Sequence, residues 1–240
     1  MWAGGRSMIR LAIQSIHEAN QQICGHEILA RKLQNGKPVA PGVFMATGKV
    51  REWFDLDMAI YQLVAENPLL RKDPWPLFIN MSPATLEHMN LFAQALPCIE
   101  TIASSRRAPT VIEISEESSL DSYQLEVRLD SLRHTGVMVA MDDFGVAYSN
   151  IDRLRAHEWG YCKIDLQSLS DAENLDWLIE AKVLCDERNI KIVLERFESR
   201  KSRDLLHPFN NCLYQGYAFS RPRMLNELLH FARPRSQVLG

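Results

Sequence analysis

The chain carries no cysteines at metal-ligand or disulfide-framework spacing. Cys24, Cys98, Cys162, Cys185 and Cys212 are scattered, odd in number and without a Cys-x-x-Cys pair. That excludes a cysteine zinc site and a disulfide-stapled fold, and it suits free thiols in a reducing cytoplasm. No apolar run approaches the ~18 residues that span a bilayer, so no membrane span is expected. Residues 1–8 lack the apolar core of a signal peptide and read as a leader. A net charge of −3 over 240 residues gives no electrostatic footprint for a nucleic-acid polymer. Low-complexity linkers and internal repeats are also missing, so residues 1–240 read as one domain, with a last helix (Leu225–Phe231) and a tail over 223–240.

What is present is enough to bury a large core: 46% hydrophobic and 24% charged residues, ordinary for a soluble globular protein. Short apolar or alternating runs occur at Leu11–His17, Gly25–Ala30, Leu77–Met81, Val111–Ser115, Val137–Met141, Tyr161–Leu166, Lys191–Leu194 and Leu213–Phe219. Amphipathic stretches of helical length separate most of them, among them Asp57–Glu66, Thr85–Ala95, Leu120–Thr135 and Asn174–Arg188. Strands alternating with helices predict a mainly parallel sheet, and eight such strands in this length fit a (β/α)8 TIM-type barrel. One link is too short for a parallel crossover: only Glu18–Cys24 separate the first two runs. The first strand is therefore expected to be antiparallel.

The polar residues inside or at the ends of these runs are unusual in kind. They are Glu27, Asn80, Glu113, the adjacent Asp142 and Asp143, Lys163, Glu195 and Gln215. Any one strand Glu or Lys is more often half of a salt bridge or part of an exposed face. Repeated strand by strand on one rim of a barrel, five acids need positive charge among them. His26 stands beside Glu27 on the opposite face of its strand and reads as structural. An all-oxygen set without His or Cys favours Mg2+ or Mn2+ over zinc. There are enough acids for two ions, with Asp142 as the natural bridge. Such a site suits activation of water against a phosphodiester, with Lys163 stabilising the hydroxide or the developing charge.

These residues resemble the EAL-domain cyclic di-GMP phosphodiesterases over about Ala12 to Pro222. Gly25-His-Glu-Ile-Leu-Ala-Arg31 is similar to the signature Glu-Ala-Leu-Leu-Arg, with Ile28 in place of Ala. Ile79-Asn-Met-Ser-Pro83 resembles Asn-x-Ser-Pro, and Glu113-Ile-Ser-Glu116 resembles Glu-Leu-Thr-Glu. Asp142-Asp-Phe-Gly145, Lys163-Ile-Asp165 and Gln215-Gly-Tyr-Ala-Phe-Ser-Arg-Pro222 match closely and in order. The resemblance implies a barrel with an antiparallel first strand. It implies metal ligands at Glu27, Asn80, Glu113, Asp142, Asp143 and Glu195, with Lys163 positioning the attacking water and Gln215 supporting the site. It implies substrate contacts from Gln14, Arg31, Gln215 and Pro222, and Glu116 as the tether of the loop after Asp143. The implied reaction is hydrolysis of cyclic di-GMP to linear pGpG.

The chain departs from the family pattern in three places. Arg196 replaces a glycine after Glu195, which alters the pose of Glu195 or adds a cation near the phosphates. Val146-Ala147 replaces Thr-Gly in the loop, beside which the family's barrels often dimerise. Ser15 stands where Pro is usual. These changes motivate a second reading, a catalytically weak or inactive EAL protein acting as a cyclic di-GMP receptor or binding a protein partner.

Overall fold

The computed structural model describes residues 9–45, 47–115, 118–145, 151–166, 176–198 and 212–225. Strand β1 (Ile9–His17) turns through Glu18–Gln22 into the long strand β2 (Ile23–Gln34), and the two pair antiparallel from Ile9↔Lys32 to His17↔Ile23. Gln21 adopts φ 73° in this turn, and the Asn20 side chain accepts from the Gln22 N–H. The hairpin expected from the short link is therefore observed.

A second hairpin was not expected. Asn35 and Gly36, both with positive φ, turn β2 into β3 (Lys37–Val39). Helices α1 (Pro41–Phe44), α2 (Val50–Glu66) and α3 (Pro68–Lys72) then lead to β4 (Leu77–Met81). Asn67 caps α3 through its side-chain oxygen, with Pro68 at the first helical position.

After β4 the expected single helix over Thr85–Ala95 is two: α4 (Pro83–Glu87) and α5 (Met89–Ser105), broken at His88, which leaves the helical region at φ −91° and ψ 101°. The chain continues through β5 (Thr110–Ser115), α6 (Ser122–His134), β6 (Met138–Phe144), α7 (Ile151–Ala156), β7 (Tyr161–Asp165), α8 (Asp176–Arg188) and β8 (Lys191–Glu195). The eighth strand, β9, covers Leu213–Tyr214 only, where Leu213–Phe219 had been expected; Gly216–Phe219 turn instead against Phe197. A short β10 (Arg223–Met224) pairs with β1. Among the described residues no helix is long and apolar enough to cross a membrane.

Strands β2, β4, β5, β6, β7, β8 and β9 are successively parallel, and β1 closes the ring by pairing antiparallel with both β2 and β9. This is a closed eight-stranded barrel with helices outside. Alternation along each strand separates two cores. Residues such as Ile28, Ile79, Ile112, Met141, Ile164 and Leu194 join the helices in the outer core. Ile16, Phe78, Val111, Ala140, Tyr161 and Val193 form a second, inner cluster. That inner cluster is the floor of the barrel, and two residues further along each parallel strand come Asn80, Glu113, Asp142, Lys163 and Glu195, with Gln14 two residues earlier on the antiparallel β1.

Candidate active site

Those polar residues form the layer above the apolar floor. Because the strands are staggered, three residues of the layer stand level with a floor residue of the next strand, Glu27↔Phe78, Glu113↔Ala140 and Lys163↔Val193, while Asn80 stands level with Glu113. Lys163 is 1% exposed and lies at the centre. Its Nζ is 2.5 Å from Glu113 Oε1, 2.8 Å from Glu195 Oε1, 3.0 Å from Asp142 Oδ1 and 3.8 Å from Glu27 Oε2. The Asn80 amide donates to Glu27 Oε1 at 3.0 Å and to Glu113 Oε2 at 2.9 Å, and Gln215 donates to Glu27 Oε2.

The apolar run ends at Met141, before the Asp142–Asp143 pair, but β6 runs through both to Phe144. Successive residues of a regular strand point to opposite faces. Here the β6–β7 register shifts between Met141 and Phe144, and Asp143 adopts φ 56°, a left-handed conformation that Asp tolerates. The bulge brings oxygens of Asp142, Asp143 and Glu195 within 4.8 Å of one another.

Electrostatics shows what this layer demands. Burial, reinforced by Glu27, Asp142 and Glu195, pushes the Glu113 carboxyl well above the usual range despite Lys163. Glu195 is pushed up to about 8, first by burial and then by its acidic neighbours, against the pull of Lys163. Burial works against the Lys163 charge, but the surrounding carboxylates outweigh it and hold the ammonium protonated far beyond neutral pH. Apart from that ion-pair contact, Glu113 Oε1 and Asp142 Oδ1 accept no hydrogen bond from the described residues, and neither does the buried Gln215 Oε1. Crowded, under-satisfied oxygen donors without sulfur or imidazole fit a hard divalent cation.

The layer floors an open cavity of about 970 Å3 whose lining includes Gln14, Arg31, Trp53, Arg196, Tyr217 and Pro222. Every site residue expected from the sequence and lying within the described residues therefore faces or adjoins one cavity. Glu116, Val146 and Ala147 lie outside the described residues. His26 bonds Asp73 at 2.7 Å, away from the acid layer, as a structural residue should.

The sequence model of the EAL domain matches residues 6–222. The chain belongs to the EAL-domain family. A relative named "Probable cyclic di-GMP phosphodiesterase PdeA", from Escherichia coli K12, is 28% identical over 209 residues, covering 83% of this chain and 28% of PdeA. This chain thus spans well under half the length of that relative. The structure of Bacillus subtilis YkuI, an EAL-domain protein in complex with c-di-GMP and calcium, matches with a TM-score of 0.74 at 24% identity, over 89% of this chain and 55% of YkuI. The Klebsiella pneumoniae BlrP1 complex with manganese and the same nucleotide matches with a TM-score of 0.72 at 24% identity, over 93% of this chain and 58% of BlrP1. Identities this low establish a shared fold.

Two features of this EAL barrel escaped the sequence reading. Asp165 is buried and pairs with Arg196 at 3.0 Å. On α2, Asp57 and Tyr61 lie one turn apart and hold the end of β4, Tyr61 at the backbone of Asn80 and Asp57 at the Ser82–Thr85 turn that follows. Tyr61 donates to the Asn80 carbonyl at 3.2 Å, and Asp57 Oδ2 accepts from Ser82 N at 3.0 Å, Ser82 Oγ at 2.6 Å and Thr85 Oγ1 at 2.5 Å. The signal for Asp57 was its spacing: Phe54, Asp57, Tyr61 and Val64 form one buried helical stripe.

Burial raises the Asp57 carboxyl to about 6, its hydrogen bonds from Ser82 and Thr85 pulling the other way. The folded state therefore binds more protons than the unfolded chain between about pH 4 and 6, and stability from this group falls as pH rises through that window. Asp57→Asn lacks this penalty. The unfolding free energy of the wild type relative to Asp57→Asn is expected to drop by about 2 kcal/mol from pH 4 to pH 7. Urea denaturation at the two pH values measures it, and a pH-independent difference would refute it.

Proposed function

We propose that the protein hydrolyses cyclic di-GMP to linear pGpG in a reaction that requires Mg2+ or Mn2+. The observation that carries this reading is the buried Lys163 ammonium, ringed by four carboxylates at the floor of an open cavity large enough for a dinucleotide. Family membership and the likeness to PdeA, YkuI and BlrP1 support it.

Glu27, Asn80, Glu113 and Asp142 would hold one ion, and Asp142, Asp143 and Glu195 a second. Ions held there would supply a water of lowered pKa and an offset of charge in an in-line displacement at phosphorus. The remaining chemistry belongs to the chain. Lys163 keeps its proton, so it is no base; it donates from Nζ to hold the attacking oxygen and offsets developing negative charge. Arg31, Gln14, Gln215 and Pro222 line the wall against which the nucleotide is oriented, and Trp53 and Tyr217 offer aromatic faces to its bases. The water oxygen forms a new bond to phosphorus, the P–O3′ bond breaks, and the 3′-oxygen leaves with a proton. The family's habit of dimerising beside the loop after Asp143 makes a homodimer part of this reading.

The Arg196 conformation favours a second reading, in which the barrel binds cyclic di-GMP without cutting it or serves as a surface for a protein partner. One experiment separates them. Wild type incubated with cyclic di-GMP in Mg2+ or Mn2+ should yield pGpG by chromatography, while Glu27→Ala and an EDTA control should lose at least ~100-fold of that rate. An unchanged substrate peak would refute hydrolysis, and nucleotide binding by calorimetry would then point to a receptor.

A further inference from the structure

Arg196 follows Glu195 directly, and its backbone stands in the left-handed region at φ 52°. A residue with a Cβ is strained there, and arginine lacks the short polar side chain that lets Asn or Asp adopt it. The conformation is imposed from both sides. Gln215 donates to the Leu194 carbonyl at 2.9 Å, Phe197 to the Gln215 carbonyl at 3.1 Å, and Ala218 to the Phe197 carbonyl at 3.0 Å. Phe197 is itself buried against the rings of Tyr214 and Phe219. The surroundings fix the turn, and the sequence places a bulky cation where glycine would sit without strain.

The side chain is well occupied. Arg196 Nη1 meets Asp165 Oδ2 at 3.0 Å, the carboxylate side chain being 4% exposed and the arginine 57% exposed. Asp165 stands level with Glu195 across β7 and β8. The guanidinium therefore anchors beside the trio of Asp142, Asp143 and Glu195, on the rim of the cavity.

We propose that Arg196 is a built-in counter-ion for this outer trio, one that weakens the divalent ion held by Asp142, Asp143 and Glu195 far more than the ion at Glu27, Asn80, Glu113 and the shared Asp142. Its charge repels a second cation, and its pairing with Asp165 withdraws another carboxylate from the pool of oxygen ligands. The inference rests on the metal-dependent reading above and adds that the two ions differ in affinity because of one residue.

The test is a Mn2+ titration of the full chain without nucleotide, following free Mn2+ by electron paramagnetic resonance, for wild type, Arg196→Gly and Arg196→Asn. Glycine and asparagine both accept the left-handed backbone, so the turn is kept in each while the charge is removed. The wild type should show a tight and a weak class of ion, and in both variants the weak class should tighten about tenfold or more while the tight class shifts by less than about threefold. Tightening in Arg196→Gly alone would assign the effect to backbone freedom and overturn the proposal. Three identical isotherms would overturn it and leave the metal-dependent reading standing. No Mn2+ binding by any form would overturn that reading and the inference with it.

Discussion

Lys163→Met should destabilise the metal-free protein by about 3–5 kcal/mol at pH 8, because removing one partner of a buried ion cluster leaves the others uncompensated. The ammonium is the shared counter-charge of Glu27, Glu113, Asp142 and Glu195. Its folded pKa lies well above 10.5, so the lysine itself stays protonated from pH 5 to 9, and any pH dependence of its loss comes from the acids around it. The acids behave oppositely. Glu113 and Glu195 are raised in the folded state, so the native protein binds more protons than the unfolded chain and loses stability as pH rises above about 4.5. Without the ammonium these pKa values climb further and the loss steepens. Denaturation of Lys163→Met in EDTA should therefore show a deficit much smaller at pH 5 than at pH 8. Millimolar Mn2+ should recover part of the pH 8 deficit by supplying a substitute cation to the same oxygens. A deficit independent of both pH and Mn2+ would show that the ring of acids is not coupled to Lys163.

How much of this was legible in the sequence depends on the range of the signal. The acid layer was legible because alternation is local: a polar residue two places beyond an apolar one, on strand after strand, marks a layer even before the strands are assembled. The antiparallel first strand was legible because a short link excludes a crossover. The hairpin at Asn35-Gly36 was legible too and was missed, since the β2 run was ended at Ala30 and the strand in fact continues to Gln34. Other features have no local trace. That Asp142 and Asp143 both turn to the site depends on a bulge defined against β7. The Arg196–Asp165 pair joins the residue just past β8 to the end of β7, and the strained backbone of Arg196 is set by the bonds that Leu194 and Phe197 make with Gln215 and Ala218. The eighth strand is short for the same reason: after Tyr214 the chain stops pairing as a ladder and wraps the backbone of Phe197.

That wrapping gives the second large effect. A Cβ on Gly216 would lie 2.3 Å from Phe197 N, 2.4 Å from Phe197 O and 2.7 Å from Phe197 C, all backbone atoms that no rotamer change can move aside. Gly216→Ala must therefore push the turn after β9 away from the end of β8, at an expected cost of about 3 kcal/mol or more, a melting temperature lowered by roughly 6–12 °C for a chain of this size. The two segments forced apart carry Gln215 on one side and Glu195 on the other, so the damage is not confined to stability. Gln215 would lose its bond to Glu27, and Glu195 its distance to Lys163. A misplacement near 1 Å is enough to cost on the order of 100-fold in turnover. Arg196 sits between these segments, and its left-handed turn exists because Gly216 lets the backbones meet; in Gly216→Ala the constraint that holds the guanidinium on Asp165 goes with it. Scanning calorimetry and pGpG formation measured on the same preparation test this, and a variant with wild-type melting would mean that the close approach of Gly216 to Phe197 is not what holds the two segments together.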